Sequence, residues 1–202
     1  MRAMLPRMTA ARKMTVEDWG ELDDKDWREL VDGVLEEPEM ASALHDTVIA
    51  WLIALLYPYF AKRKGFVASA GPRLVIRPDR GRIADVMCWS AKHKPEMHGL
   101  VRTPPDVVVE IITPRPRDIR RDRIDKLADY AEMGCRQYWL VDPKLRTFEI
   151  WQLDSSGRYE RVAAAARGKL RAPSHPGLVI DVGALWNEVD RLEAPRRKTS
   201  SA

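Results

Sequence analysis

Two carboxylates stand in the sequence where carboxylates are costly. Residues 105–112 read Pro-Asp-Val-Val-Val-Glu-Ile-Ile, and the aliphatic residues occupy both parities. That pattern predicts a strand buried on both faces, with Glu110 inside it. Asp85 lies in a second mostly apolar strand, Ile83 to Trp89. A buried carboxylate is strongly destabilising unless it is paired, protonated or metal-bound. Two such acids on adjacent central strands can converge, and their hard oxygens suit Mg²⁺ or Mn²⁺. A metal held there could lower the pKa of a bound water and stabilise a phosphoryl transition state. Read alone, the two acids could equally each pair with an arginine, which this chain has in plenty.

A third acid stands out by its neighbours. Trp27 to Glu37 predicts a β-hairpin, because Asp32-Gly33 is a two-residue turn between short β-compatible runs. Alternation puts Trp27, Glu29 and Val31 on one face, with the acid between two apolar side chains.

The elements that must position these residues follow from pattern. Thr15-Val16-Glu17-Asp18 predicts a capped short helix to about Leu22. Ser42 caps a long helix to about Lys64, kinked or shortened at Pro58 and ended by Gly65. Strands are expected at 66–69, 73–77, 83–89 and 106–112, with a loop at 90–105. A helix spans Asp118 to Met133 and closes at Gly134. Strands at 136–141, 147–153 and 158–163 follow, the last two a hairpin around residues 154–157, then a short helix at 183–193. This order predicts an α/β (α+β-like) core, a mixed central sheet flanked by helices, with an N-terminal and a C-terminal hairpin.

Composition narrows the class. The chain has 202 residues, enough for one domain that folds without a disulfide or metal staple. Charged residues make up 32%, above the usual ~25% and against a membrane protein. The longest apolar run, Val48 to Tyr57, is short of the ~20 residues of a spanning helix. Cys88 and Cys135 show no paired spacing and read as free thiols of a reducing, cytoplasmic compartment. The net charge of +4 belongs to the ends. Four of the 34 basic residues lie in 1–14 and three in 194–202, where there is no acid. The body, 15–193, therefore keeps 27 against all 30 acids. We read 1–14 as a disordered basic arm without a secretory h-region, with Met14 an alternative start, 15–193 as one domain, and 194–202 as a disordered basic tail. No phosphate-cradling GxxxxGK loop, nucleophile elbow or dinucleotide GxGxxG occurs, so ATPase, serine hydrolase and dehydrogenase readings lack support.

Asp85, Glu110 in its aliphatic run, Thr113-Pro114, then Asp122 through Lys126, Tyr130 and Gly134, then Gln137-Tyr138-Trp139-Leu140-Val141-Asp142-Pro143 occur in an order that resembles one family. It is the Uma-two type "putative restriction endonuclease" family of the PD-(D/E)XK nuclease superfamily. The resemblance reaches back to Glu29-Leu30-Val31-Asp32-Gly33 and His45, and forward to Pro176-Gly177-Leu178. It implies a restriction-endonuclease-like core and Mg²⁺-dependent hydrolysis of DNA phosphodiester bonds, Mn²⁺ substituting. It implies metal ligation by Asp85 and Glu110 with Glu29 as third acid, and a role for His45 near the metal or the scissile phosphate. DNA is the implied partner; a homodimer would suit cutting two strands, though no seam in the sequence marks one.

Three positions depart from the family's pattern. Ala84 replaces the proline before Asp85. Ile112 occupies the lysine position of Glu-X-Lys, which moves the lysine role to Lys126 on the following helix. Gln137 stands where the family often has Glu. The last two favour the alternative function, a catalytically impaired DNA-binding or protein-interaction module on the same fold. Taken alone, the helical wheel groups Asp122, Lys126 and Tyr130 on a solvated face, opposite Ile124, Leu127, Ala128 and Ala131. Arg115, Arg117, Arg120, Arg121 and Arg123 form the densest basic cluster of the body and are expected to contact phosphates. His93, His98 and His175 show no ligand spacing and are expected to be surface or structural residues.

Overall fold

The computed structural model describes residues 13–38 and 42–193. Most of the arm expected at 1–14, and the tail at 194–202, lie outside the described residues. Of the arm's last two residues, Met14 donates its N–H to Gly33 O at 3.0 Å.

The helix α1 (Val16–Gly20) starts at a reciprocal Thr15/Asp18 capping box. The hairpin β1 (Glu29–Val31) and β2 (Val34–Glu36) turns through Asp32 and Gly33, both at positive φ, as the right-handed twist of a tight hairpin requires. The helix α2 (Ala43–Ala61) is capped by Ser42 and runs on through Pro58. Its end differs from expectation: Lys64 takes the left-handed conformation. Gly65 is instead needed for space, because a Cβ there would lie 2.5 Å from Trp89 O.

Two sheets divide the strands. One is ordered β2-β1-β5-β4-β7, where β4 is Arg73–Arg77, β5 is Arg80–Arg82 and β7 is Leu100–Val101. The other is ordered β11-β10-β9-β8-β6-β3. Its strands are β3 (Phe66–Ser69), β6 (Val86–Trp89), β8 (Val107–Ile111), β9 (Gln137–Asp142), β10 (Thr147–Leu153) and β11 (Tyr159–Ala165). Only β8 and β9 run parallel in this sheet; the other pairs are antiparallel. A small pair, β12 (Lys169–Arg171) and β13 (Val179–Asp181), was not legible in the sequence. Of the expected strand 83–89 only Val86–Trp89 (β6) is strand, and the chain reaches it from β5 in the other sheet. Ile83, Ala84 and Asp85 cross between them, which brings Asp85 to the seam.

Period two along the six-stranded sheet separates two cores. Val107, Val109 and Ile111 face α2 and the last helix, α5 (Val182–Glu193). Val108 and Ile112 face a second cluster with Leu74, Tyr130 and Tyr138. Glu110 shares the parity of this second face. The crossover from β8 to β9 consists of α3 (Pro116–Arg120), one π-helical turn (Arg121–Asp125) and α4 (Lys126–Met133), closed by left-handed Gly134.

The five-stranded sheet packs tightly on α1. A Cβ at Gly81 would lie 2.1 Å from the ring of the fully buried Trp19. Gly81→Ala is therefore expected to destabilise the fold by about 1–3 kcal/mol, read as a lower urea midpoint.

Candidate active site

Antiparallel pairing sets the first two acids against each other. Val86 opposes Val109 and Met87 opposes Val108. Continuing that register by one residue places Asp85 across from Glu110, on the same face. The Asp85 carboxylate takes the place of a ladder carbonyl, accepting the Ile111 N–H at Oδ2 at 2.7 Å. His45, in the first turn of α2, meets the same oxygen through Nε2 at 3.2 Å. Burial pushes the Asp85 pKa up, but the His45 hydrogen bond and charge, the Lys126 charge and the Ile111 N–H outweigh it and hold it below the usual range. An ionised carboxylate only accepts, so Nε2 is the protonated nitrogen of His45.

Glu110 is enclosed from the other side by α4. Lys126 Nζ donates to its Oε2 at 2.9 Å and the Tyr130 hydroxyl to its Oε1 at 2.6 Å. Lys126 is also 3.5 Å from Asp122 and 4.0 Å from Glu29. Its wheel-based placement on a solvated face is corrected: Asp118, Arg121, Asp122, Lys126, Asp129 and Tyr130 all point inward, while Ile124 is 58% exposed. The buried face of this helix is the polar one. Burial pushes the Glu110 pKa well up; Lys126 pulls it down, but the Asp85 and Asp122 carboxylates add to the rise.

Glu29 reaches the site from β1 and is already committed. Arg82 Nη1 donates to its Oε2 at 2.7 Å and the Ile83 N–H to its Oε1 at 3.0 Å. Arg82 is fully buried and also pairs with Asp129 at 2.6 Å. Burial raises the Glu29 pKa, but the Lys126 and Arg82 charges and these hydrogen bonds hold it below its ordinary 4.5. The unfolded chain therefore binds this proton more tightly. The contribution of Glu29 to stability is complete above the ordinary value and is lost as pH falls through the lowered one. The gap in urea midpoint between wild type and Glu29→Gln is expected to be wide at neutral pH and to close below it.

The three acids do not gather into one ligand set. Among the described residues no group of three or more His, Cys, Asp and Glu side chains is arranged to hold a metal. Asp85 and Glu110 alone nevertheless suit a small divalent cation. Mg²⁺ commonly takes one or two carboxylates and fills its remaining positions with water and substrate phosphate. Burial is the largest cause of the raised Glu110 pKa, and a cation bound between the two carboxylates would oppose it.

The basic cluster divides. Arg121 is buried, 3.0 Å from Asp118 and 3.9 Å from Glu29. Arg123 reaches Glu149 at 2.9 Å and Asp142 at 3.5 Å, on β10 and β9. Both are corrected from phosphate-contacting surface to structural ion pairs. Arg115, Arg117 and Arg120 are exposed around α3. Gln137 lies away from the acids, holding the Trp139 indole N–H and the Pro173 carbonyl. His93, expected at the surface, pairs with Asp106 at 2.8 Å. Tyr130, Arg82 and Asp129 were not assigned to the site from sequence. Only the i, i+4 spacing of Lys126 and Tyr130 hinted at the first.

Glu29, His45, Asp85, Glu110, Arg121 and Lys126 line one cavity of about 310 Å³. In such a cavity the two carboxylates could take a divalent cation and the buried lysine could donate to a phosphate oxygen or a water.

Comparison with known proteins identifies the family and the fold. A family described as "Uma2: Putative restriction endonuclease" matches residues 16–183. A crystal structure described as a putative nuclease belonging to DUF820, from Anabaena variabilis, matches with a TM-score of 0.68 at 15% identity. The match covers 87% of this chain and 99% of that one, and it shows a shared fold. No curated protein matches the chain.

Proposed function

The chain belongs to the Uma2 family of restriction-endonuclease-like proteins, and on that premise we propose that it is a Mg²⁺-dependent DNA endonuclease. The observation that carries the reading is the Lys126–Glu110 contact at 2.9 Å, opposite Asp85. A lysine from the helix thus stands at the acids although Ile112 fills the strand position. This favours the nuclease reading over a catalytically silent module. Gln137, the other argument for such a module, is engaged elsewhere in the fold.

Asp85 and Glu110 would hold the metal. Bound there, Mg²⁺ supplies charge neutralisation at the phosphate and lowers the pKa of a water. Lys126 carries a fixed positive charge at the cavity floor. It orients the attacking water and offsets charge developing on the phosphate oxygens. His45 keeps Asp85 ionised and oriented, and Tyr130 does the same for the angle of Glu110; both are positioning residues. Glu29 balances Lys126 and Arg82 rather than ligating. Arg115, Arg117 and Arg120 are the exposed cations nearest in sequence to the strand exit and would meet the DNA backbone, each raising the salt dependence of binding.

Mn²⁺ tests the metal site without requiring turnover. It should raise the melting temperature of wild type and leave that of Asp85→Ala unchanged, because a ligand selective for the native state stabilises it by mass action. An equal shift in both proteins, or none in wild type, would remove the metal from the account.

A further inference from the structure

The cavity above Glu110 has one wall that phosphodiester chemistry does not use. Trp27, just before β1, stands on its rim and is 46% exposed. Pro38, Ile49, Ala70 and Ile83 continue the apolar lining. The polar groups collect elsewhere: Glu110 and Lys126 are buried, and the Asp85 and His45 side chains are 18% and 12% exposed. A phosphate must therefore descend into the cavity to meet them.

The volume, about 310 Å³, lies at the small end of ligand pockets. It matches one nucleotide and not a segment of duplex. In an intact duplex every base is already stacked on its neighbours and has no free face to offer an aromatic wall. An unpaired nucleotide has both parts the cavity calls for: a charged phosphate for the floor and a flat apolar base for the wall. Extrusion is least costly where the strand is single, mismatched or damaged.

We infer that the substrate enters as an unpaired nucleotide and that Trp27 stacks on its base beside the scissile phosphate. Such stacking is indifferent to base identity, since every base has a π-face. The enzyme therefore selects strand structure at this point rather than sequence. The inference rests on the nuclease reading and names its substrate class.

Fluorescence anisotropy in EDTA, with a labelled mixed-sequence oligonucleotide as single strand and as duplex, tests it apart from cleavage. Wild type should bind the strand about tenfold or more tightly than the duplex. Trp27→Ala should lose about tenfold or more on the strand and little on the duplex, and Trp27→Phe should keep most of the affinity. A melting curve checks that the variants remain folded. Equal loss on both forms would mean a structural role and overturn the inference. Duplex binding at least as tight as strand binding, untouched by Trp27→Ala, would overturn it while leaving the nuclease reading in place. Failure of wild type to bind either form would overturn the inference, and the Mn²⁺ melting shift and the cleavage assay would still decide the nuclease reading separately.

Discussion

Replacing Lys126 by methionine is expected to lower the rate constant of DNA cleavage by about two to three orders of magnitude while the protein stays folded. The rate falls because the only buried cation touching Glu110 among the described residues is removed from the place where phosphate charge develops. Folding survives because Glu110 can answer the loss by taking up a proton. Its pKa is already pushed up by burial and by the Asp85 and Asp122 charges. The effect should fall on kcat with KM little changed, the signature of an interaction made mainly in the transition state. Lys126→Arg should not restore the rate, since a planar guanidinium is bulkier and delocalised where a compact ammonium is required. Single-turnover cleavage assays with the three proteins check this. A Lys126→Met enzyme as fast as wild type would return the lysine to a purely structural role.

Arg82→Met is expected to cost about 3–5 kcal/mol of stability, a large share of the 5–15 kcal/mol typical of a domain. Arg82 is fully buried between Glu29 at 2.7 Å and Asp129 at 2.6 Å. Removing it leaves Glu29 and Asp129 in a low-dielectric interior with less opposing charge. Asp129 keeps Arg80 at 2.6 Å, so Glu29 bears most of the cost. Lys126, 4.0 Å from Glu29, would then be drawn away from Glu110, and activity should fall together with stability. Adding Glu29→Gln to Arg82→Met should recover part of the loss, because contacting residues are not additive. Urea unfolding of the single and double variants measures this coupling. Strict additivity would show that the ion pair is not the source of the cost.

The two central acids were legible because each interrupts an apolar strand, where an ionised group has few ordinary reasons to be. The main sheet was legible from its hydrophobic runs. The wheel grouped Asp122, Lys126 and Tyr130 correctly but put them on the wrong side, because the buried side of this helix is the charged one and hydrophobic periodicity points the other way. Asp85 was read inside one strand, whereas it lies where the chain leaves β5 for β6. No residue in Ile83-Ala84-Asp85 announces a change of sheet. Arg82 carried no signal of its own: an arginine beside Gly81 looks solvated until Glu29 from β1 and Asp129 from α4 enclose it. Arg123 looked like a phosphate contact because its acidic partners, Glu149 and Asp142, come from distant segments; Arg121 has a local partner in Asp118, but its burial against Glu29 of β1 is set by the tertiary fold.

Cleavage of supercoiled plasmid in Mg²⁺ by wild type and Glu110→Gln, side by side, tests the central claim most directly. Negative supercoiling offers locally unpaired sites, so the substrate suits the cavity as well as the chemistry. Wild type should nick or linearise the plasmid. Glu110→Gln, with melting temperature checked, should be slower by about a thousandfold. Equal cleavage by the two proteins would show that the Asp85–Glu110–Lys126 site is not where DNA is cut.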